Sequence, residues 1–309
     1  MNLQLEGIVH WLESAIRLAT PLIIAASGGL FVERTGVLNI GIEGMMLFGA
    51  FAAVAGSFLT GNVLLAALMA MATGGLLGLL HAYLTITRRA DQIVSGAAIN
   101  LLALGATDLL NRRLFLEGRP RVALFPVVSP EQLKEIPLAG PLFFNQPIIV
   151  WVAILLSVLL SIFLYRTTWG LYMRAAGEHS RAVLSAGHSV VRLRYAGVLM
   201  SGVFAGLGGA ALSLGAVGVF VPNMTNGRGF VVLAAFVAGK WNPVLVAIAC
   251  LVFGMADALQ LQAQAVGMGI PYQFLIMLPY LLTVAALAGL VGRTSTPKEL
   301  GKRYEPLDV

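Results

Sequence analysis

The stretch from Ser27 to Phe51, SGGLFVERTGVLNIGIEGMMLFGAF, decides the fold class. It joins two apolar runs, roughly 14–32 and 40–59, each about the 20 residues needed to cross a hydrocarbon layer of ~30 Å. Within it stand Glu33, Arg34, Asn39 and Glu43, amid glycines at 36, 41 and 44. A polar, glycine-rich break between apolar runs is how membrane transporters expose backbone at depth. Glu33 and Arg34 read as a solvated turn at the membrane surface. Glu43 lies inside the second run, where a charge is costly and turns toward the bundle interior. For Asn39 and Glu43, lining a solute path and bonding between helices both remain open.

Further apolar runs fall at roughly 62–86, 93–111, 147–165, 194–220, 229–239, 243–262 and 272–292. The run at 229–239 is too short to span and reads as a re-entrant or half-helix element. The expected fold is all-α: one polytopic transmembrane helical bundle over 1–309, with about eight or nine spans. Composition agrees. The chain is 58% hydrophobic and 11% charged, with mean hydropathy +0.87, against about 45–50% and 25% in soluble domains. Many of the 35 glycines lie inside apolar runs, as in GGLLG (Gly74 to Gly78) and GVFAG (Gly202 to Gly206). There, small residues let helices approach closely. The single cysteine, Cys250, leaves no disulfide within the chain and no multi-cysteine metal site. No Lys or Arg precedes Arg17, so the N-terminus lacks the basic region of a secretory signal and the first helix is expected to persist.

Three segments interrupt the pattern: the proline-rich 112–146, the amphipathic and basic 166–193, and the polar tail 293–309. With nine spans, Arg34, Arg88, Arg89, Arg166, Arg174, Arg181, Arg192, Arg194, Lys240, Arg293, Lys298, Lys302 and Arg303 share one side, 13 of 20 basic residues. Arg17, Arg112, Arg113, Arg119, Arg121, Lys134 and Arg228 fall on the other, 7 in all. This bias predicts an external N-terminus, an external 112–146 loop and a cytoplasmic C-terminus. The net charge of +6 reports this asymmetry, and no basic–aromatic stacking pattern points to nucleic acid.

The motif inventory excludes several chemistries. There is no phosphate-binding G-x-x-x-x-G-K-[ST], no H-E-x-x-H and no G-x-S-x-G. His10, His81, His179 and His188 are scattered, so no metal site is expected. Nothing marks an enzyme, and no cofactor is expected in this chain.

A second informative stretch is WGLYMRAAGEHSRAVLSAGHSVVRLRYAGVLMSGVFAGLGGA, Trp169 to Ala210. Its first half cannot span. Ala182, Val183, Ala186 and Val190 fall near one helical face, so it should lie at the membrane surface and offer an apolar face to a partner or to lipid.

These residues resemble the permease family of ABC importers for branched-chain amino acids, ribose and nucleosides. GEHSRAVLSAGHS at 177–189 resembles that family's cytoplasmic coupling loop. ERTGVLNIGIEGMMLFGAF at 33–51, with its Glu-Gly-Met-Met run at 43–46, is similar to the nucleoside and simple-sugar branch. GFVVLAAFVAGKWNPVLVAIACLVFGMADAL at 229–259 resembles the family's penultimate helices. The likeness covers about residues 20 to 290. Val183, Ala186-Gly187-His188 and Gly239-Lys240-Trp241 depart from the usual pattern.

The resemblance implies a permease subunit of an ATP-driven importer in the bacterial inner membrane. Its partners would be an ABC ATPase carrying ATP-Mg, a second homologous permease in a heterodimer, and a solute-binding protein or lipoprotein. Gly177, Glu178, Arg181, Ala182, Ala186 and Gly187 are the expected ATPase-coupling residues. Asn39, Glu43, Asn100 and Asp257 are the candidates for lining the path of a nucleoside or related polar solute, with Asp108 a weaker one. Simple sugars and branched-chain amino acids are alternatives. An ion-coupled transporter would call for paired carboxylates at depth, whereas Glu43 and Asp257 stand alone.

Overall fold

The computed structural model describes residues 3–115, 122–128, 140, 142, 144–265, 272–285, 288 and 296–303. Most of the 112–146 loop and of the 293–309 tail, with Arg119, Arg121, Lys134 and Arg293, lies outside these residues. Helix α1 (Leu3–Arg34) runs unbroken through Pro21. After the non-helical connector 35–41 come α2 (Ile42–Thr60), α3 (Val63–Ala82) and α4 (Gln92–Leu114). Then follow α5 (Ile148–Arg166), α6 (Thr168–Glu178), α7 (Ser180–Ser185), α8 (Val190–Leu212), α9 (Arg228–Ala238), α10 (Pro243–Ala265) and α11 (Tyr272–Ala285). Two-residue strands, β1 (Val127–Val128) and β2 (Gln146–Pro147), pair antiparallel.

Among the described residues, seven helices are long and apolar enough to cross a membrane. The chain is therefore a multi-pass membrane bundle. The run at 229–239 folds as α9, only 11 residues long, and the run at 272–292 is described as a continuous helix over Tyr272–Ala285 alone.

Local chemistry sets several helix starts. Asn62 accepts from Leu64 N and Leu65 N ahead of α3, Asp91 from Ile93 N and Val94 N ahead of α4, and Asn242 from Val244 N and Leu245 N in α10. These side chains satisfy amides that have no intrahelical partner.

The bundle has a distinct centre. The apolar windows of α1, α2 and α8 are 78%, 83% and 78% buried, whereas those of α3, α4, α5 and α10 are near one third, so the first three form the core and the others clad it. The two glycine motifs meet there. A methyl group on Gly78 would lie 2.9 Å from the Val198 carbonyl, one on Gly74 would strike that of Gly202, and one on Gly206 would strike that of Ala70. On the neighbouring face a methyl on Gly209 would strike the Met46 carbonyl of α2. Small residues thus bring backbones into contact where lipid offers no hydrophobic drive for association. Cys250 is buried in the same interior.

Candidate functional site

The connector 35–41 leaves the end of α1 and turns back into the bundle. Gly36, at φ +86°, makes the turn. Asn39 reaches Ser201, which lies eleven residues into α8, or about 16 Å along its axis. Helix α2 starts level with Gly29, whose added methyl would be 3.1 Å from Ile42 Cδ1. The connector therefore holds irregular backbone below the level of the helix end, where each polar group needs a protein partner.

Side chains of α3, α4 and α8 supply those partners. Arg194, 1% exposed, donates from Nε to the Thr35 carbonyl at 3.2 Å. The Leu38 N–H donates to Gln92 Oε1 at 2.7 Å. The Leu38 carbonyl lies 3.2 Å from His81 Nε2, and His81 Nδ1 lies 2.9 Å from Ser95 Oγ. A carbonyl only accepts, so the proton sits on Nε2 and Nδ1 accepts from the serine hydroxyl. Asn39 Nδ2 donates to Ser201 Oγ at 3.0 Å. Asn100 donates to the Ile40 carbonyl at 3.1 Å and accepts from Gly44 N at 2.8 Å, closing the first turn of α2.

Glu43 faces the other way, toward α9. Its Oε1 accepts from Gly227 N at 2.8 Å and its Oε2 from Gly229 N at 2.6 Å. Gly227 is left-handed at φ +84°, and a methyl on Gly229 would lie 2.5 Å from Glu43 backbone atoms. An anion here answers the unpaired amides and positive end of the helix dipole together. The opposite end of α9 is held by the neighbouring acidic and basic pair. The Trp241 indole N–H donates to Glu33 Oε2, and Arg34 donates twice to the Trp241 carbonyl, at 3.1 and 2.6 Å. Glu33 is only 3% exposed, which corrects the expectation of a solvated turn for Glu33 and Arg34. The unusual Gly239-Lys240-Trp241 sequence builds this end: Lys240 and Trp241 are both left-handed, at φ +51° and +54°.

Asp257 joins the same half-helix from α10. Its carboxylate lies 3.7 Å from Arg228, the first residue of α9, with side chains 21% and 23% exposed. Arg228 also donates to the Met224 and Thr225 carbonyls. It stands ten residues from the Ala238 end of α9, about 15 Å into the bundle from that end. Partly open charges at that depth face protein or water rather than lipid.

The structure thus gathers Asn39, Glu43 and Asn100 around the start of α2 and brings Asp257 to α9 through Arg228. Asp108 stands apart, paired with Arg112 at 3.0 Å near the end of α4. The coupling residues divide. Arg181, Ala182, Ala186 and Gly187 are exposed, while Gly177 is buried against the Arg34 carbonyl and Glu178 is half-buried. The single face expected from Ala182, Val183, Ala186 and Val190 does not form: α7 stops at Ser185, Gly187 turns at φ +81°, and Val183 and Val190 point inward. Among the described residues no group of three His, Cys, Asp or Glu side chains is placed to hold a metal. Sequence reasoning gave no site role to Glu33, His81, Gln92, Arg194, Ser201, Arg228 or Trp241. The signal available for Arg228 was its charge at the head of an apolar run.

Short helices that begin inside a membrane bundle recur in transporters. Residues 11–287 match the family described as branched-chain amino acid transport system / permease component, and the chain belongs to that family. It is 40% identical to the guanosine ABC transporter permease protein NupQ of Bacillus subtilis, over 93% of each chain. It is 36% identical, again over 93% of each, to the nucleoside ABC transporter permease protein NupC of Lactococcus lactis subsp. cremoris. It is also 34% identical to a putative glucose ABC transporter permease protein of Haloferax volcanii, over 92% of each.

Proposed function

We propose that this chain is the permease subunit of an ATP-driven importer that carries nucleosides across the bacterial inner membrane. The observation that carries the reading is the half-helix α9, with its N-terminus at depth between Glu43 and the Arg228–Asp257 pair, in a chain akin to guanosine and nucleoside permeases. Arg228 and Asp257 line the solute path. They offer a donor and an acceptor to the hydroxyl and base edges of a nucleoside, while Asn39, Asn100 and Glu43 hold the irregular backbone behind them.

The Arg34 end of the bundle faces the cytoplasm, as the excess of Lys and Arg there favours. The exposed Arg181, Ala182, Ala186 and Gly187 receive a separate ABC ATPase, which supplies the ATP-Mg. A second permease covers part of α4, whose large apolar side chains Ile93, Val94, Leu101 and Leu109 are more than half exposed; that second chain is a different, homologous permease. An external binding protein or lipoprotein delivers the solute.

The test is affinity capture of the tagged chain from detergent-solubilised membranes, followed by reconstitution of the captured complex and uptake of radiolabelled guanosine, glucose and leucine. Co-capture of a phosphate-loop ATPase with ATP-dependent guanosine uptake is expected. The glucose permease relative favours a second reading, a simple sugar, which glucose uptake without guanosine uptake would establish. Uptake driven by an ion gradient without ATP would overturn both.

A further inference from the structure

One residue joins the proposed ATPase-docking segment to the half-helix at the solute path. Arg34 ends α1. Its backbone carbonyl is the surface on which Gly177 of α6 rests, so closely that a methyl group there would collide with it. The same segment reaches the Arg34 side chain by a second route. The Arg174 guanidinium stacks 4.8 Å from the Tyr165 ring centre, and Tyr165 Oη accepts from Arg34 at 3.3 Å. The tail fastens this contact, since Glu299 N donates to the Gly177 carbonyl at 2.8 Å. On its far side the Arg34 guanidinium makes two bonds to the Trp241 carbonyl, at the end of α9.

Helix α9 is short, with eleven residues, or about 16 Å. Its other end carries the Glu43-capped amides and Arg228. A rigid rod of that length moves as a unit when one end is displaced. The paired charge-assisted bonds of a guanidinium to one carbonyl fix direction as well as distance.

We infer that Arg34 is a positioning residue that latches the coupling segment to α9, so that displacement of α6 and α7 is delivered through Trp241 to the Arg228–Asp257 face. The inference rests on the reading of 166–193 as the ATPase-docking segment.

The experiment uses the assembled, reconstituted transporter in a Cys250→Ala background. Spin labels are attached through Ser185→Cys on the coupling segment, outside the four residues proposed to receive the ATPase, or through Phe230→Cys on α9, both exposed positions. Spectra are compared before and after trapping with ATP and vanadate, alongside uptake per ATP hydrolysed. With Arg34 present, both labels should shift. In Arg34→Ala the label at 185 should still shift, the label at 230 should respond much less, with only the Glu33 bond to Trp241 left between α1 and α9, and uptake per ATP should fall at least tenfold. Arg34→Lys, which keeps the charge but offers a compact ammonium, should recover part of both, and it carries the test if the alanine variant does not assemble. A label at 230 that responds fully in Arg34→Lys and Arg34→Ala, or that is silent in the parent while 185 shifts, overturns the latch. A label at 185 that is silent in the parent overturns the docking reading itself, and the latch with it.

Discussion

Glu43 Oε2 accepts the backbone N–H of Gly229 at 2.6 Å, so the first turn of one helix is completed by a side chain from the first turn of another. Both helices begin inside the bundle, where lipid offers an unsatisfied amide no partner. The carboxylate's second oxygen takes Gly227 N. An acidic residue in an apolar run is therefore explained first by backbone satisfaction, with the solute path built on top of it.

Replacing Glu43 by Gln keeps the shape but sets an NH2 group against one of two N–H donors. The loss of one bond in a buried site corresponds to about 1–3 kcal/mol. Thermal unfolding in detergent can be followed by labelling of Cys250, the chain's single cysteine and a buried one. Glu43→Gln should unfold at a clearly lower temperature, with guanosine uptake reduced. An unchanged midpoint would mean that the carboxylate does not hold α9.

Gly229→Ala should be more damaging, because its methyl would meet Glu43 backbone atoms at 2.5 Å and force α2 and α9 apart. Gly105→Ala is the matched control. It lies in α4 with nothing within 4 Å of an added methyl, and alanine stabilises a helix interior by about 0.5–1 kcal/mol over glycine. In the isolated chain Gly105→Ala should raise the unfolding midpoint slightly while Gly229→Ala lowers it. Equal effects would contradict the close approach of Gly229 to the Glu43 backbone.

The spans were legible because about 20 apolar residues in a row leave few alternatives, and the half-helix because 229–239 falls short of that length. The glycine motifs at 74–78 and 202–206 were legible as packing, although nothing in either run names the other as its partner. Glu33 was not legible. A Glu-Arg pair closing an apolar run reads as solvated, and the indole that buries it comes 208 residues later. His81 was opaque for a similar reason, since its two partners, Leu38 and Ser95, lie on separate segments. The single helical face of Ala182, Val183, Ala186 and Val190 does not form because a helical period cannot run across Gly187, whose left-handed φ of +81° follows the end of α7.

His81→Phe should loosen the re-entrant connector. An aromatic ring is kept, though a somewhat larger one, and the Leu38 carbonyl and the Ser95 hydroxyl lose their partners, at about 1–3 kcal/mol each for a buried polar group. Hydrogen exchange of peptides covering 35–41 should accelerate in the assembled protein, with little change at α5, which takes no part in the His81 hydrogen bonds. Exchange in 35–41 at the parent rate would show that the Gln92, Arg194 and Asn100 bonds suffice without it.

The Arg228–Asp257 pair permits a sharper test, a double-mutant cycle read both as stability and as uptake. Removing one partner of a partly buried pair leaves a charge without compensation, so Asp257→Asn and Arg228→Gln should each destabilise the chain by more than about 1 kcal/mol. The double variant has no net charge to strand at that depth and should recover much of the stability. Uptake should not recover with it, because a solute path through this face needs the donor and the acceptor themselves. The expected signature is a near-parental unfolding midpoint in the double variant, with the KM for guanosine raised at least tenfold. Parental uptake by the double variant would confine the pair to a structural role and move the path to another face of α9.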